Sequence, residues 1–158
     1  MRVGFGYDVH PFVSGRPLVL GGIKIPYLFG LKGHSDADVL THAICDALLG
    51  AIAEGDIGKH FPDSDPTWKD ASSVEMLRYV SELADAGGFE VKWIDSVVIA
   101  ERPKLAPHIE SMKEALSRAH ILPGVINIKA KTDEGMGFIG REEGIAAYAV
   151  CLLGKRGI

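Results

Sequence analysis

The chain has 158 residues, 47% hydrophobic and 24% charged, with 17 Lys+Arg against 21 Asp+Glu and a formal net charge of −4. So apolar a chain does not stay solvated as a disordered segment, and its length is that of one globular domain spanning 1–158. An acidic balance lacks the basic surface of a nucleic-acid binder, and no apolar run is long enough to cross a bilayer, so neither nucleic acid nor membrane is expected as a partner. The N-terminal MRVGFGYDVH reads as neither a signal nor a transit peptide. Cys45 and Cys151 form no disulfide framework and no Cys-x-x-Cys pair, which fits a reducing cytoplasm of bacterial type; a processed plastid form stays open.

In chain order, Val3, Phe5, Tyr7 and Val9 alternate with Gly4, Gly6 and Asp8, which predicts a strand over 2–9. Glycines along one side of a strand call for close approach by another backbone or a ligand. After a Ser14-Gly15 turn, 18–25 predicts a second strand broken at Gly21-Gly22, and 27–35 predicts a mobile loop without period. Val39, Leu40, Ala43, Ile44, Ala47, Leu48 and Ala51 predict a helix over 36–53, capped by Ser35 or Asp36 and ended by Gly55. A loop over 55–69 and a helix over 71–86 follow, stopped by Gly87-Gly88. A β-branched strand over 92–101 precedes a helix from Pro107 to about Ala119. Two strands close the chain, over 125–131 and 145–153; the last is apolar on both sides, which predicts burial of both faces. The order β β α α β α β β predicts an α+β domain, a single mixed sheet with helices packed on one face. Cys45 and Cys151 fall at core positions.

Four groups of residues can carry chemistry. Asp8 and His10, two apart on a strand, share a face and can converge on one ion; the bland alternative is a turn Asp beside a surface His. Asp38, His42 and Asp46 form a polar stripe at i, i+4 and i+8 on an otherwise apolar helix. Two acids flanking His42 are costly to bury, and as outer carboxylates they would set its tautomer. Asp8, His10 and His42 together offer three N/O ligands and leave a fourth position open, as in catalytic zinc sites. His34-Ser35-Asp36 admits two readings: contacts to a phosphate, or a helix cap beside a solvated His, which the local pattern favours. Finally, Lys131 to Arg141 holds three glycines in six residues, an amide-rich loop able to face an anion, with Thr132 as hydroxyl donor, Glu134 as a hard oxygen for Mg²⁺ and Arg141 for phosphate. A turn with solvated charges is the alternative. No P-loop, nucleophile elbow or Cys/His dyad is present.

GYDVH at 6–10, GHSDADVLTHAICDALLGA at 33–51, DIGKHFPD at 56–63, ERPKL at 101–105 and TDEGMGFIGREEGIA at 132–146 jointly resemble the 2-C-methyl-D-erythritol 2,4-cyclodiphosphate synthase family of the non-mevalonate isoprenoid pathway. The resemblance runs from the first strand to the last. It implies a lyase that closes 4-diphosphocytidyl-2-C-methyl-D-erythritol 2-phosphate into the cyclic diphosphate and releases CMP, the 2-phosphate attacking the β-phosphorus in line. It implies Zn²⁺, one per subunit, on Asp8, His10 and His42, and Mg²⁺ or Mn²⁺ at Glu134 between the α- and β-phosphates. His34 and Thr132 match positions that polarise the phosphates, Ser35 assisting His34. Asp56, Ile57, Gly58, Phe61, Pro62, Asp63, Ser64 and Asp65 match the methylerythritol segment. Ala100, Glu101, Arg102, Pro103, Lys104, Leu105 and Ala106, with Lys131 and Asp133, match the stretch that reads cytosine and ribose, largely through backbone. Lys131 stands where a second Thr is expected and adds charge near the nucleotide; Glu101 and Arg102 vary among relatives. The resemblance further implies a homotrimer with active sites between subunits, and a threefold channel near Phe138 and Arg141 able to hold an isoprenoid diphosphate. A metal-dependent phosphohydrolase on the same scaffold and a non-catalytic nucleotide- or metal-binding trimer are the alternatives.

Overall fold

The computed structural model describes residues 1–157. Its strands are β1 (Arg2–Val13), β2 (Leu18–Leu20), β3 (Ile23–Ile25), β4 (Gly30–Leu31), β5 (Phe89–Ile99), β6 (Ile126–Lys131) and β7 (Gly144–Lys155). Its helices are α1 (Val39–Ile52), α2 (Ile57–His60), α3 (Ser73–Ala86), α4 (Ile109–Leu116) and α5 (Gly137–Gly140). Five strands form one sheet in the order β4-β1-β7-β5-β6, in which only β5 and β6 run parallel. The α+β expectation holds, but the single sheet does not: β2 and β3 form a second, two-stranded sheet turned by Gly21-Gly22, both at positive φ.

Helix α1 lies against β1 and β7, and the glycine side of β1 is what lets it in. A Cβ on Gly4 would stand 1.8 Å from the Ala47 carbonyl oxygen, and one on Gly6 would stand 1.9 Å from that of Ala43. No side chain larger than hydrogen fits between strand and helix there. Ala43, Ala47 and Ala51 present the matching small face of α1, and the buried Cys151 thiol donates to the Ala47 carbonyl at 3.1 Å. Both cysteines are free and buried, as expected.

Several boundaries differ from the sequence reading. Helix α1 starts at Val39 because Asp38, not Ser35 or Asp36, takes the N-cap and accepts from the Thr41 amide; Ala53, in the left-handed region, ends it before Gly55. Strand β1 runs on to Val13 because Phe12 finds a partner in Leu31 of β4, inside the segment read as a loop. α2 and α5 each have four residues, too short for a periodic signal. The largest correction concerns β7. Its α1 side is buried, but Tyr148 and Val150 on the other side are 38% and 43% exposed. They stand beside Tyr7 and Phe5 of β1, which are exposed as well. The strand is apolar on two faces and covered on one.

Candidate metal centre and active site

The close strand–helix contact places His42, next to Ala43 on α1, over Asp8 and His10, which leave β1 on the same face. Asp8 Oδ2 lies 2.9 Å from His42 Nδ1 and 2.9 Å from His10 Nε2, and the two ring nitrogens are 3.4 Å apart. One ligand atom from each residue falls within 4.8 Å of the others. One carboxylate oxygen and two imidazole nitrogens form a donor set suited to zinc, with a fourth position left for water or substrate.

The remaining ring nitrogens are held from behind. His10 Nδ1 donates to the Lys32 carbonyl at 2.7 Å, which leaves Nε2 as the ring nitrogen that faces Asp8 and His42. His42 Nε2 lies 2.8 Å from Ser73 Oγ and 3.1 Å from Ser35 Oγ. Ser35 thus meets His42, where the resemblance pairs it with His34. Burial pushes the Asp8 carboxyl up, but hydrogen bonds and charge from His10 and His42 outweigh it and bring the pKa down to about 2. Burial lowers His10, yet the bond and charge of Asp8 prevail and raise it above its ordinary value.

The acids that flank His42 on α1 do other work. Asp38 is buried and accepts from the amides of Gly21, Gly22 and Thr41 and from the Thr41 hydroxyl, tying the β2–β3 turn to the start of α1. Burial, reinforced by the charge of Asp36, pushes its pKa up. Asp46 accepts from the Ile57 amide at 2.8 Å and anchors α2. Neither carboxylate bonds to His42, so the role expected of them as its outer partners falls to hydroxyls. Helical spacing shows which residues share a stripe, not which backbone amide arrives to claim a carboxylate.

A cleft of about 390 Å³ opens over the centre, lined by Asp8, His10, His34, Ser35, His42, Ile57, Gly58, Phe61, Pro62 and Asp63, with Gly33, Trp68 and Met76. His34 Nε2 donates to the Asp65 carbonyl at 3.1 Å. Asp56 caps α2 through the Lys59 amide, and the Asp65 carboxylate accepts from the Thr67 amide; neither they nor the exposed Ser64 line the cleft. The sequence reading missed Trp68, Met76 and Ser73. Trp68 and Met76 carry no signal beyond apolarity, and Ser73 lies 31 positions from His42.

Ala100, Glu101, Pro103, Lys104, Leu105, Ala106, Lys131 and Thr132, with Pro107 and Ala130, line a second cleft of about 310 Å³ that shares no residue with the first. Arg102 points elsewhere and pairs with Glu142 at 3.4 Å. Thr132 Oγ1 accepts from the Glu134 amide at 3.3 Å and donates to its carboxylate at 3.4 Å. Asp133 closes this turn by accepting from the Met136 amide through its carbonyl. Phe138 lies on α5, and the exposed Arg141 pairs with Glu143 at 2.7 Å. One rung of the sheet joins the clefts: Asp8 faces Ala147, Ala147 faces Val98, and Val98 faces Ala130. Three inter-strand spacings separate the ends of that rung by about 14 Å. One chain does not bring Glu134 or Thr132 to the metal centre.

The sequence model of the YgbB family matches residues 1–154. A relative from Syntrophobacter fumaroxidans, named 2-C-methyl-D-erythritol 2,4-cyclodiphosphate synthase, is 60% identical over 158 residues, 99% of each chain. The chain belongs to the YgbB family. A solved 2C-methyl-D-erythritol-2,4-cyclodiphosphate synthase in its CDP-bound form superposes with a TM-score of 0.87 at 40% identity, covering 97% of this chain and 100% of that one. The bifunctional IspDF from Campylobacter jejuni superposes with a TM-score of 0.93 at 42% identity; the match takes 98% of this chain and 42% of that longer one. Family membership rests on the whole length, so it embraces both clefts.

Proposed function

We propose that the chain is a 2-C-methyl-D-erythritol 2,4-cyclodiphosphate synthase that closes 4-diphosphocytidyl-2-C-methyl-D-erythritol 2-phosphate and releases CMP, as a single catalytic domain over 1–158. The observation that carries this reading is the convergence of Asp8, His10 and His42 beside a cleft, in a chain of this family. In the reaction an oxygen of the 2-phosphate forms a bond to the β-phosphorus, and the bond from that phosphorus to the α-phosphate oxygen breaks, its electron pair leaving with CMP. The attacking oxygen is already anionic, so the reaction needs no general base.

Asp8, His10 and His42 would hold Zn²⁺ and Glu134 would hold Mg²⁺ or Mn²⁺, and the ions would supply positive charge to the diphosphate. His34 and Thr132 polarise the phosphates as charge shifts toward CMP. Ile57, Gly58, Phe61, Pro62 and Asp63 hold the methylerythritol, Asp63 accepting from its hydroxyls. The Ala100–Ala106 cleft takes the cytidine. Its wall includes Glu101, one of whose carboxylate oxygens is buried with no hydrogen-bond partner, an acceptor that a nucleobase amino group would satisfy. Lys131 adds charge beside the nucleotide phosphates.

The separation of the clefts supports a homotrimer in which one subunit's metal centre meets its neighbour's cytidine cleft. The open face of β1 and β7 supports it too, since Phe5, Tyr7, Tyr148 and Val150 make a contiguous apolar patch, with the Tyr7 and Tyr148 rings 4.8 Å apart. An isoprenoid diphosphate in the threefold channel near Phe138 and Arg141 belongs to the same reading. No helix among the described residues is long and apolar enough to cross a membrane, and the free cysteines support a cytoplasmic location. Phosphorus NMR of the protein with the diphosphocytidyl 2-phosphate and Mg²⁺ tests the activity. The expected products are a cyclic diphosphate with two coupled phosphorus signals and CMP; linear phosphates would indicate a hydrolase, and untouched substrate a binding protein.

A further inference from the structure

Behind His42, on the side away from Asp8 and His10, runs a short polar chain that joins three segments. Ser73, the first residue of α3 and fully buried, places its hydroxyl 2.8 Å from His42 Nε2. The same hydroxyl contacts Asp36 Oδ1 in a short hydrogen bond. Asp36 also accepts from the Ser73 amide at 3.0 Å through Oδ2 and from the Asp38 amide at 3.2 Å through Oδ1. Both carboxylate oxygens are therefore engaged, and the serine is pinned by backbone and side chain together.

Hydrogen-bond bookkeeping gives this chain a direction. An ionised carboxylate only accepts, so the single proton of the Ser73 hydroxyl goes to Asp36. The serine oxygen then has only lone pairs to offer His42, and they are matched by a proton on Nε2. A proton there leaves Nδ1, the atom beside Asp8 and His10, with its lone pair free for a metal. Ser35 cannot impose this, because its hydroxyl accepts from the Ala37 amide at 3.3 Å and keeps its own proton free to rotate. For His10 the same task is done by the Lys32 carbonyl, which can only accept.

We infer that Ser73, oriented by Asp36, is a positioning residue that fixes the metal-binding tautomer and ring orientation of His42. This rests on the reading of Asp8, His10 and His42 as zinc ligands. Ser73 lies outside the cleft lining and bonds His42 and Asp36, so its effect on catalysis passes through His42.

Zinc dissociation constants from chelator competition at fixed pH, on Ser73→Ala and Asp36→Asn beside the parent chain, test the assignment. Loss of an outer-shell partner weakens metal binding by roughly 10–100-fold, and Ser73→Ala should fall in that range, with Asp36→Asn weakened in the same direction. The second readout is the His42 Nε2 proton in zinc-loaded protein, seen by NMR. It should exchange slowly with water in the parent and quickly in Ser73→Ala while the α3 backbone amides keep their parental exchange rates, which separates loss of the Ser73 bond from loosening of the helix. Zinc affinity within twofold of the parent in a folded Ser73→Ala protein, or an unchanged exchange rate, overturns the inference and leaves the metal site standing. Should Ser73→Ala fail to fold, Asp36→Asn decides by the same two readouts. A parent chain that binds no zinc removes the metal reading itself, and this inference with it.

Discussion

Replacing Gly6 with alanine probes the contact on which the site depends. The added methyl would stand 1.9 Å from the Ala43 carbonyl oxygen and 2.7 Å from the Ala47 amide, both backbone atoms that no rotamer change can move. Ordinary contact begins near 3.4 Å, so α1 must retreat from β1 by about 1.5 Å. Overpacking that forces backbone shifts costs about 3 kcal/mol, the upper part of the usual range. For a chain of this size that is a fall in Tm of roughly 6–12 °C. The same retreat carries His42 away from Asp8, stretching a 2.9 Å contact beyond hydrogen-bond reach, so zinc affinity should fall along with stability. Calorimetry of the metal-free variant and a zinc titration measure the two effects separately. Gly124→Ala is the control: its Cβ meets nothing within 4 Å, and it should change stability by less than about 0.5 kcal/mol. A Gly6→Ala protein with parental Tm and parental zinc affinity would refute the claim that this packing builds the metal centre.

Three other perturbations address the remaining parts of the site. Val150→Asp places a charge in the open apolar face and, if that face joins the subunits of the proposed trimer, should give monomers in light scattering and abolish turnover while zinc stays bound; an unchanged mass would count against that face as the interface. Glu134→Gln should leave zinc content intact and raise the Mg²⁺ concentration needed for half-maximal rate, whereas an unaltered Mg²⁺ dependence takes Glu134 out of its role. In metal-free protein, the Asp8–His10 contribution to stability should be complete between pH 3.8 and 6.5. It is lost below that window as pH falls through the depressed Asp8 value of about 2, and above it as pH rises through the raised His10 value. Zinc binding should strengthen as pH climbs past 6.5, because the ion then displaces fewer protons. Denaturant midpoints that rise above pH 6.5 without metal would contradict the ion pair.

The grouping of Asp8, His10 and His42 and a close approach to the glycine side of β1 were legible in the sequence because both rest on short-range periodicity, whereas the identity of α1 as the approaching element was not. Period two puts Asp8 and His10 on the face that carries Gly4 and Gly6, and the 3.6-residue period puts His42 beside Ala43 on the helix face that meets them. The outer partners of the histidines were not legible. Asp38 and Asp46 share His42's stripe, yet backbone amides from Gly21, Gly22 and Ile57 take them, while Ser73 reaches His42 from another helix. Such partners are set by tertiary approach, which spacing along one helix does not encode. The final strand was misread for a related reason: its alternating faces are both apolar, and composition does not reveal that a single chain covers only one of them.

The most direct test of the proposed site mixes two damaged chains. Asp8→Ala lacks a metal ligand and Glu134→Ala lacks the acid of the nucleotide half, so each alone should be inactive. If every site joins one subunit's metal centre to its neighbour's cytidine cleft, refolding the two together in equal amounts leaves about a quarter of the sites intact in both halves. Recovery of about that fraction of parental CMP release is the expected result. No recovery from mixed, zinc-containing trimers would mean that each chain completes its own site, contradicting the assembly drawn from the two clefts.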